Sequence, residues 1–355
     1  MTSLPLAAVP LSGYTTLRVG GPATRFVPAE SAEEVVTAVR ETSDRLLVLG
    51  GGSNLVIADD GFAGTVVQVA NKGSKIDSLG DGRVALTVEA GEDWDAVVRQ
   101  TVEAGLGGLE CLSGIPGSVG ATPVQNVGAY GVEIAQLLIS VDLLDRASGE
   151  VRTLAAAELA LGYRTSMLKN TERAVVLRVR FELADGGRSA PIRYTELARV
   201  LGVRQGKQVP AADARAAVLE LRRGKGMVLD PADHDTWSVG SFFTNPVVAD
   251  SELPSVLARI ASVVGADTPV PQYPAGVGTS KLSAAWLIER AGFAKGYPGV
   301  DARVRLSNKH TLALTNRGHA TTADILTLAR EVRDGVRARF GVTLAPEPVL
   351  VGCEL

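Results

Sequence analysis

The stretch Ser113–Gly131, SGIPGSVGATPVQNVGAYG, decides how this chain reads. It holds five Gly, two Pro and two Ala, and no charged side chain. Glycine permits positive φ and close approach, and proline fixes φ at the bends. A run so poor in side chains brings bare backbone close to something. Exposed backbone N–H groups make anion-binding concavities, so a flat or phosphorylated ligand is one reading. A long structural loop is the other, and this stretch alone leaves the two open.

Working outward, composition narrows the class. The 355 residues suffice for two or three domains, with 46% hydrophobic and 21% charged residues, as in ordinary globular proteins. A net charge of −3 argues against a general nucleic-acid binder. Two cysteines, Cys111 and Cys353, form no disulfide framework and suit a reducing cytosol. The three histidines (His234, His310, His319) lack metal-ligand spacing, so no metal is expected. No apolar run is long enough to span a bilayer, and the N-terminus, broken by Pro5 and Pro10 and without a basic segment, is read as no signal peptide.

Periodicity predicts mixed α and β structure. Ser31 and Glu34 form a capping-box pattern before a helix from Glu33 to about Thr42. The apolar strand Arg45–Gly50 runs into Gly50, Gly51, Gly52, Ser53 and Asn54, followed by a short strand to Ala58. Arg83–Ala90 alternates, with Val84, Leu86 and Val88 on one face. Ala174–Leu183 does the same with Val175, Leu177, Val179 and Phe181. Glu92–Glu103 reads as a helix, and Leu137–Asp145 with Glu150–Leu154 as a hairpin. Beyond Pro210 helices dominate: Ala212–Arg223, Glu252–Val264, Leu282–Ala291 and Ala323–Phe340. The last has Ile325, Ala329, Val332, Val336 and Phe340 on one stripe. A strand, Thr311–Asn316, precedes it, and a strand follows the Pro-rich Ala345–Pro348.

Several runs admit a chemical and a bland reading. Gly50–Asn54 follows a strand, yet Leu55 stands where the third glycine of a dinucleotide fingerprint belongs, and no helix pattern follows. It is either a plain turn or a phosphate nest. Ser241, between Gly240 and two phenylalanines, is a backbone-bonded serine or a hydroxyl proton donor. Arg164 is a surface arginine or a functional cation. Arg222, Arg223 and Lys225 complement a helix dipole or clamp a diphosphate. Glu347, between two prolines, is a solvated charge or a positioned carboxyl.

Taken in order, GGGSN, GLECLSGIPGSVGATPVQNVGAYG, YRTSMLK, RYTEL, GSFFTNP and PEPVLVG resemble the UDP-N-acetylenolpyruvoylglucosamine reductases of bacterial peptidoglycan synthesis. The RYTEL and GSFFTNP arrangement is similar to the subgroup with a substrate-binding tyrosine loop. The resemblance covers the chain from about Thr15 to its end. It implies an α+β protein: an FAD-binding fold of the vanillyl-alcohol-oxidase type, made of two α/β subdomains, plus a C-terminal α/β substrate-binding domain. The expected boundaries are 1–75, 76–205 and 206–345, with the tail 346–355 packing back on the first.

Further roles follow from the resemblance. FAD, held non-covalently, is expected at Gly50, Gly51, Gly52, Ser53, Asn54, Ile115, Pro116, Gly117, Ser118, Gly120, Ala121, Gln125, Asn126, Gly128 and Tyr130. Arg164, Ser241 and Glu347 match the catalytic positions, and Tyr194, Arg222, Lys225 and Asn245 those that hold the UDP-sugar. The implied reaction reduces an enolpyruvyl ether in the cytoplasm with NADPH as co-substrate. Hydride passes from flavin N5 to C3, and a proton from Ser241 to C2. No nucleic-acid or membrane partner is expected, and the chain is read as a monomer. Leu168, where an aromatic is common, and Cys111, where a small residue is usual, depart from the pattern. Another flavin oxidoreductase of the same fold, or a non-catalytic flavin- or UDP-sugar-binding protein, are the competing readings.

Overall fold

The computed structural model describes residues 6–355, so the leader assessment of the first five residues lies outside the described residues. The chain divides into two units. One comprises the residues up to Val9, Pro22–Gly52 and Phe62–Val228; the other comprises Pro10–Gly21, Ser53–Gly61 and Leu229–Leu355.

The first unit holds two large sheets. In one, Phe62–Val69 pairs parallel with both Pro22–Ala29 and Leu46–Leu49. Helix α1 (Ala32–Glu41) packs on this sheet. Its Ser31 cap accepts from the Glu34 N–H at 3.1 Å. The Glu34 carboxylate takes the Glu30 N–H at 2.9 Å. The second sheet is antiparallel, with Ala174–Asp185 between Leu138–Asp145 and Arg83–Glu89. Its register sets Val179 opposite Val88, Phe181 opposite Leu86 and Leu183 opposite Val84. The two predicted apolar faces are therefore one buried surface. Helix α2 (Trp94–Glu103) lays Trp94 edge-on to Phe181, with ring centroids 5.8 Å apart.

After the second sheet come the short helix α3 (Thr195–Val200) and helix α4 (Ala211–Gly224). The sequence reading groups α4 with the C-terminal domain, but it belongs to the first unit. The reason is packing: Ala214, Ala217 and Val218 are buried in that unit's core, and Arg215 forms a bidentate ion pair with Asp95 of α2, at 2.6 and 2.9 Å.

The second unit is built on α7 (Thr322–Phe340). Ile325, Ala329, Val332, Val336 and Phe340 are all fully buried, the stripe that the 3.6-residue period predicts. Full burial of each larger side chain stabilises by roughly 1.5–3 kcal/mol. Helices α5 (Leu253–Val264) and α6 (Ala284–Arg290) pack on α7. Strand Val349–Val351 runs parallel to Leu55–Ile57, so the tail pairs with a segment that itself clusters in this second unit.

Candidate active site

The Gly-rich loop is strapped to the start of α2. Trp94 N–H donates to the Gly117 carbonyl at 3.0 Å, Val119 N–H to Glu92 at 2.9 Å and Gly120 N–H to Ala90 at 2.8 Å. The Asp95 carboxylate takes the Gly114 N–H at 2.6 Å. Burial tends to raise the Asp95 pKa, but the Arg215 guanidinium and the Gly114 N–H together hold it below the usual carboxylate range. Upstream, Glu110 is fully buried and accepts the N–H groups of Gly108 and Ala190, each at 2.6 Å. Burial raises its pKa. It also pushes the neighbouring Cys111 thiol up to about 12, leaving that thiol inert at neutral pH.

Gly51 meets this loop backbone to backbone, and Gly50 faces the Ser118 side chain. A Cβ on Gly51 would lie 2.6 Å from the Gly117 Cα and 3.0 Å from the Ser118 nitrogen. Two loops this poor in side chains fit an FAD pyrophosphate, which needs backbone N–H groups within reach. The residues present therefore suit the cofactor.

Further along, Gly128–Ala129 and Val132–Glu133 form a small hairpin. Its two-residue turn places Tyr130 at φ 50° and Gly131 at φ 83°. Positive φ at both positions is the signature of a type I′ turn, and a tyrosine there is strained. The turn presents the Tyr130 ring 5.3 Å from Tyr194, edge to face, and Lys225 Nζ lies 6.0 Å from the Tyr130 centroid. Lys225 also pairs with Glu196 at 2.7 Å. Burial would lower the lysine pKa, but the Glu196 carboxylate outweighs it and raises it. Arg222 donates to the Met227 carbonyl at 2.7 Å, while its Nε is buried without a hydrogen-bond partner among the described residues. Burial lowers its pKa to about 10, so it stays charged at pH 7.

Arg164 sits at φ 53° in a tight turn closed by reciprocal bonds between Gly162 and Thr165. Its Nη2 donates to the Gly128 carbonyl at 3.0 Å, which docks the turn on the end of the Gly-rich loop.

In the second unit, the Ser241 loop lies along the Glu347 segment. Phe243 bridges Pro346, the Glu347 N–H donates to the Phe242 carbonyl at 2.9 Å, and the Thr244 N–H to Ala345 at 3.0 Å. Phe242 and Phe243 are buried, which anchors the half-buried Ser241 beside them. Asn54 joins the same strap: its Nδ2 donates to the Glu347 carbonyl at 3.4 Å, and its own carbonyl takes the Val349 N–H at 2.9 Å. Asn245 Oδ1 accepts the Ala284 N–H at 2.9 Å.

Gly50–Gly52, Ile115–Tyr130, Arg164, Tyr194, Arg222 and Lys225 thus gather in the first unit. Ser53, Asn54, Ser241, Asn245 and Glu347 gather in the second. Sequence reasoning missed Asp95, Glu110 and Glu196. Asp95 carried a weak signal as an acidic residue at a helix start; the other two carried none.

The glycine-rich loops of the first unit suit a nucleotide cofactor, and the matches to known proteins give the class, a flavin-dependent oxidoreductase. Residues 23–155 match a family described as an FAD binding domain, and residues 230–351 match the UDP-N-acetylenolpyruvoylglucosamine reductase, C-terminal domain. The UDP-N-acetylenolpyruvoylglucosamine reductase of Saccharopolyspora erythraea is 68% identical over 99% of this chain and 97% of its own. That of Nocardia farcinica is 60% identical over 98% and 90%. The crystal structure of the Thermus caldophilus reductase superposes with a TM-score of 0.66 at 28% identity, covering 97% of each chain. The chain belongs to the UDP-N-acetylenolpyruvoylglucosamine reductase family.

Proposed function

We propose that this chain reduces UDP-N-acetylglucosamine enolpyruvate to UDP-N-acetylmuramate with NADPH, acting as a cytoplasmic monomer. The observation that carries the chemistry is the strap that holds Ser241 and Glu347 on adjoining backbone. FAD, when bound, supplies the hydride chemistry between NADPH and the vinyl C3.

The side chains do the rest. Negative charge develops at C2 and on the adjoining carboxylate as C3 is reduced, and Arg164 meets it with a permanent charge and a planar donor fork. Ser241 delivers the proton to C2. Its hydroxyl is a weak acid, but the enolate is strongly basic, so a hydroxyl brought within hydrogen-bond reach of C2 can serve. Glu347, when protonated, adds a hydrogen bond to the same carboxylate. Tyr194, Arg222, Lys225 and the Asn245 amide take the UDP portion, whose binding energy orients the reacting group. Tyr130 keeps its proton, since burial raises its pKa, so it serves as a hydroxyl donor.

Ser241→Ala tests this. Anaerobic NADPH should bleach the flavin at close to the parent rate, while reoxidation by the enolpyruvyl substrate slows by about 10²–10⁴-fold. Ser241→Cys should recover part of the loss. Lost bleaching with intact reoxidation would place Ser241 at the nicotinamide instead.

A further inference from the structure

Asn126 lies at the junction between the Gly-rich loop and the turn that carries Arg164, and its side chain is engaged on every side by protein. The residue is 1% exposed. Its Nδ2 donates to the Gly162 carbonyl and to Glu133 Oε2, both at 3.0 Å, and its Oδ1 accepts the Ala135 N–H at 3.1 Å. Both amide donors are in use, so the side chain has none to offer a ligand. Glu133 accepts only, which fixes the amide with its NH₂ toward Gly162. Asn126 itself sits at φ 48°, a region that asparagine tolerates better than most residues.

The bond to Gly162 matters because of what that carbonyl does. It also takes the Thr165 N–H at 3.3 Å and so closes the turn Tyr163–Arg164. Arg164, third in that turn at φ 53°, stands where type II turns favour Gly or Asn. A bulky residue keeps such a conformation only when its surroundings over-determine it. Here they do. Asn126 grips the carbonyl of the turn's first residue, Lys169 Nζ donates to the Arg164 carbonyl at 3.0 Å, and Ser166 Oγ donates to the Val124 carbonyl at 2.6 Å. The Arg164 guanidinium returns the contact to Gly128, two residues beyond Asn126. The path Asn126–Gly128–Arg164–Gly162–Asn126 is a closed ring.

We propose that Asn126 is a positioning residue for Arg164: its amide locks the strained turn so that the guanidinium is presented in one orientation. The proposal rests on the charge-stabilising role given to Arg164 above, and the test separates the two. Asn126→Gly keeps the positive φ and removes the amide. Asn126→Asp keeps the acceptor for Ala135 but sets a carboxylate against Glu133 and the Gly162 carbonyl. Both are compared, as flavin-loaded protein, with Arg164→Lys and with the Asn126→Gly/Arg164→Lys double variant.

The resemblance counts Asn126 among the FAD contacts, but its side chain is fully engaged by protein. Only its backbone, which both variants keep, could face the flavin, so flavin stoichiometry should hold at the parent value. Amide hydrogen exchange across residues 160–167 should accelerate about tenfold or more, since the turn loses its external bond. Reoxidation by the enolpyruvyl substrate should slow roughly ten- to a hundredfold, the worth of a buried hydrogen bond left unmade. In the Arg164→Lys background, Asn126→Gly should add less than about twofold, because the two act as one unit. Additive slowing, unchanged exchange, or loss of flavin from both Asn126 variants would each overturn the proposal. If Arg164→Lys reoxidises at the parent rate, the role of Arg164 is what fails, and the exchange data alone then decide whether Asn126 locks the turn.

Discussion

On the proposed reading, in which Lys225 holds the UDP diphosphate, the lysine meets it with a competitor already in place. Its ammonium lies 2.7 Å from Glu196 Oε2, and the two side chains are 35% and 36% exposed. A charge-assisted contact to a phosphate is worth roughly 1.5–3 kcal/mol. An ion pair this exposed holds only about 0.2–1 kcal/mol, and the substrate must displace it. The net contribution of Lys225 to binding is the difference, about 0.5–2.8 kcal/mol, which is roughly two- to a hundredfold in KM. Lys225→Ala should therefore raise KM within that range and leave kcat nearly unchanged. Glu196→Gln should do the reverse, lowering KM by about fivefold at most, since it removes the competing charge. The KM advantage of Glu196→Gln should shrink as salt rises, because screening weakens the parent's ion pair too. Steady-state kinetics with the UDP-sugar varied at saturating NADPH reads both variants. If Glu196→Gln raises KM as Lys225→Ala does, then Glu196 holds the lysine in its binding position and the competition argument is wrong. A collapsed kcat with unchanged KM in Lys225→Ala would put the ammonium in the chemistry.

Other outcomes follow from buried groups around the loop. Glu110→Gln should destabilise by about 1–3 kcal/mol in urea unfolding, since an amide facing the two N–H donors of Gly108 and Ala190 leaves one of them opposed to another N–H; full stability would refute the acceptor role. Asp95 has a lowered folded pKa, so its stabilisation is fully present above the unfolded value near 3.9 and is lost as pH falls through the folded value. Asp95→Asn should accordingly be less stable at pH 7, with the gap to the parent closing in acid; a gap independent of pH would show that charge is not the cause. Gly51→Ala should lower the flavin-to-protein ratio more than Gly50→Ala. The first Cβ meets the Gly117 backbone at 2.6 Å, while the second meets the Ser118 hydroxyl, a side chain that can rotate away.

Much of the frame was legible because burial imposes a period. The alternation in Arg83–Ala90 and Ala174–Leu183 became facing strands, and the α7 stripe became the core of the second unit. Domain boundaries were less so. Helix α4 reads as the opening of a helical C-terminal region, and only the Asp95–Arg215 pair and its small buried face show that it belongs with α2. Such pairs join residues 120 positions apart, beyond any local signal. The short helix α3 was missed too, since six residues give no measurable period.

The site was legible as a set of loops and silent about how they are held. Motif order named Asn126, Tyr130 and Arg164, but nothing in their identity says that all three adopt positive φ. Composition points to glycine for such positions, and the neighbouring Gly128 and Gly131 draw that attention. A bulky residue such as Arg164 keeps that conformation where contacts from other segments hold it, and those contacts appear only in three dimensions. The strain therefore lies on residues to which the proposed mechanism gives side-chain roles, a phenol at a hairpin tip and a guanidinium in a turn. Glycine in either place would relax the backbone and remove the chemistry. The inward-turned amide of Asn126 is what lets a loop built for bare backbone also carry an arginine beside it.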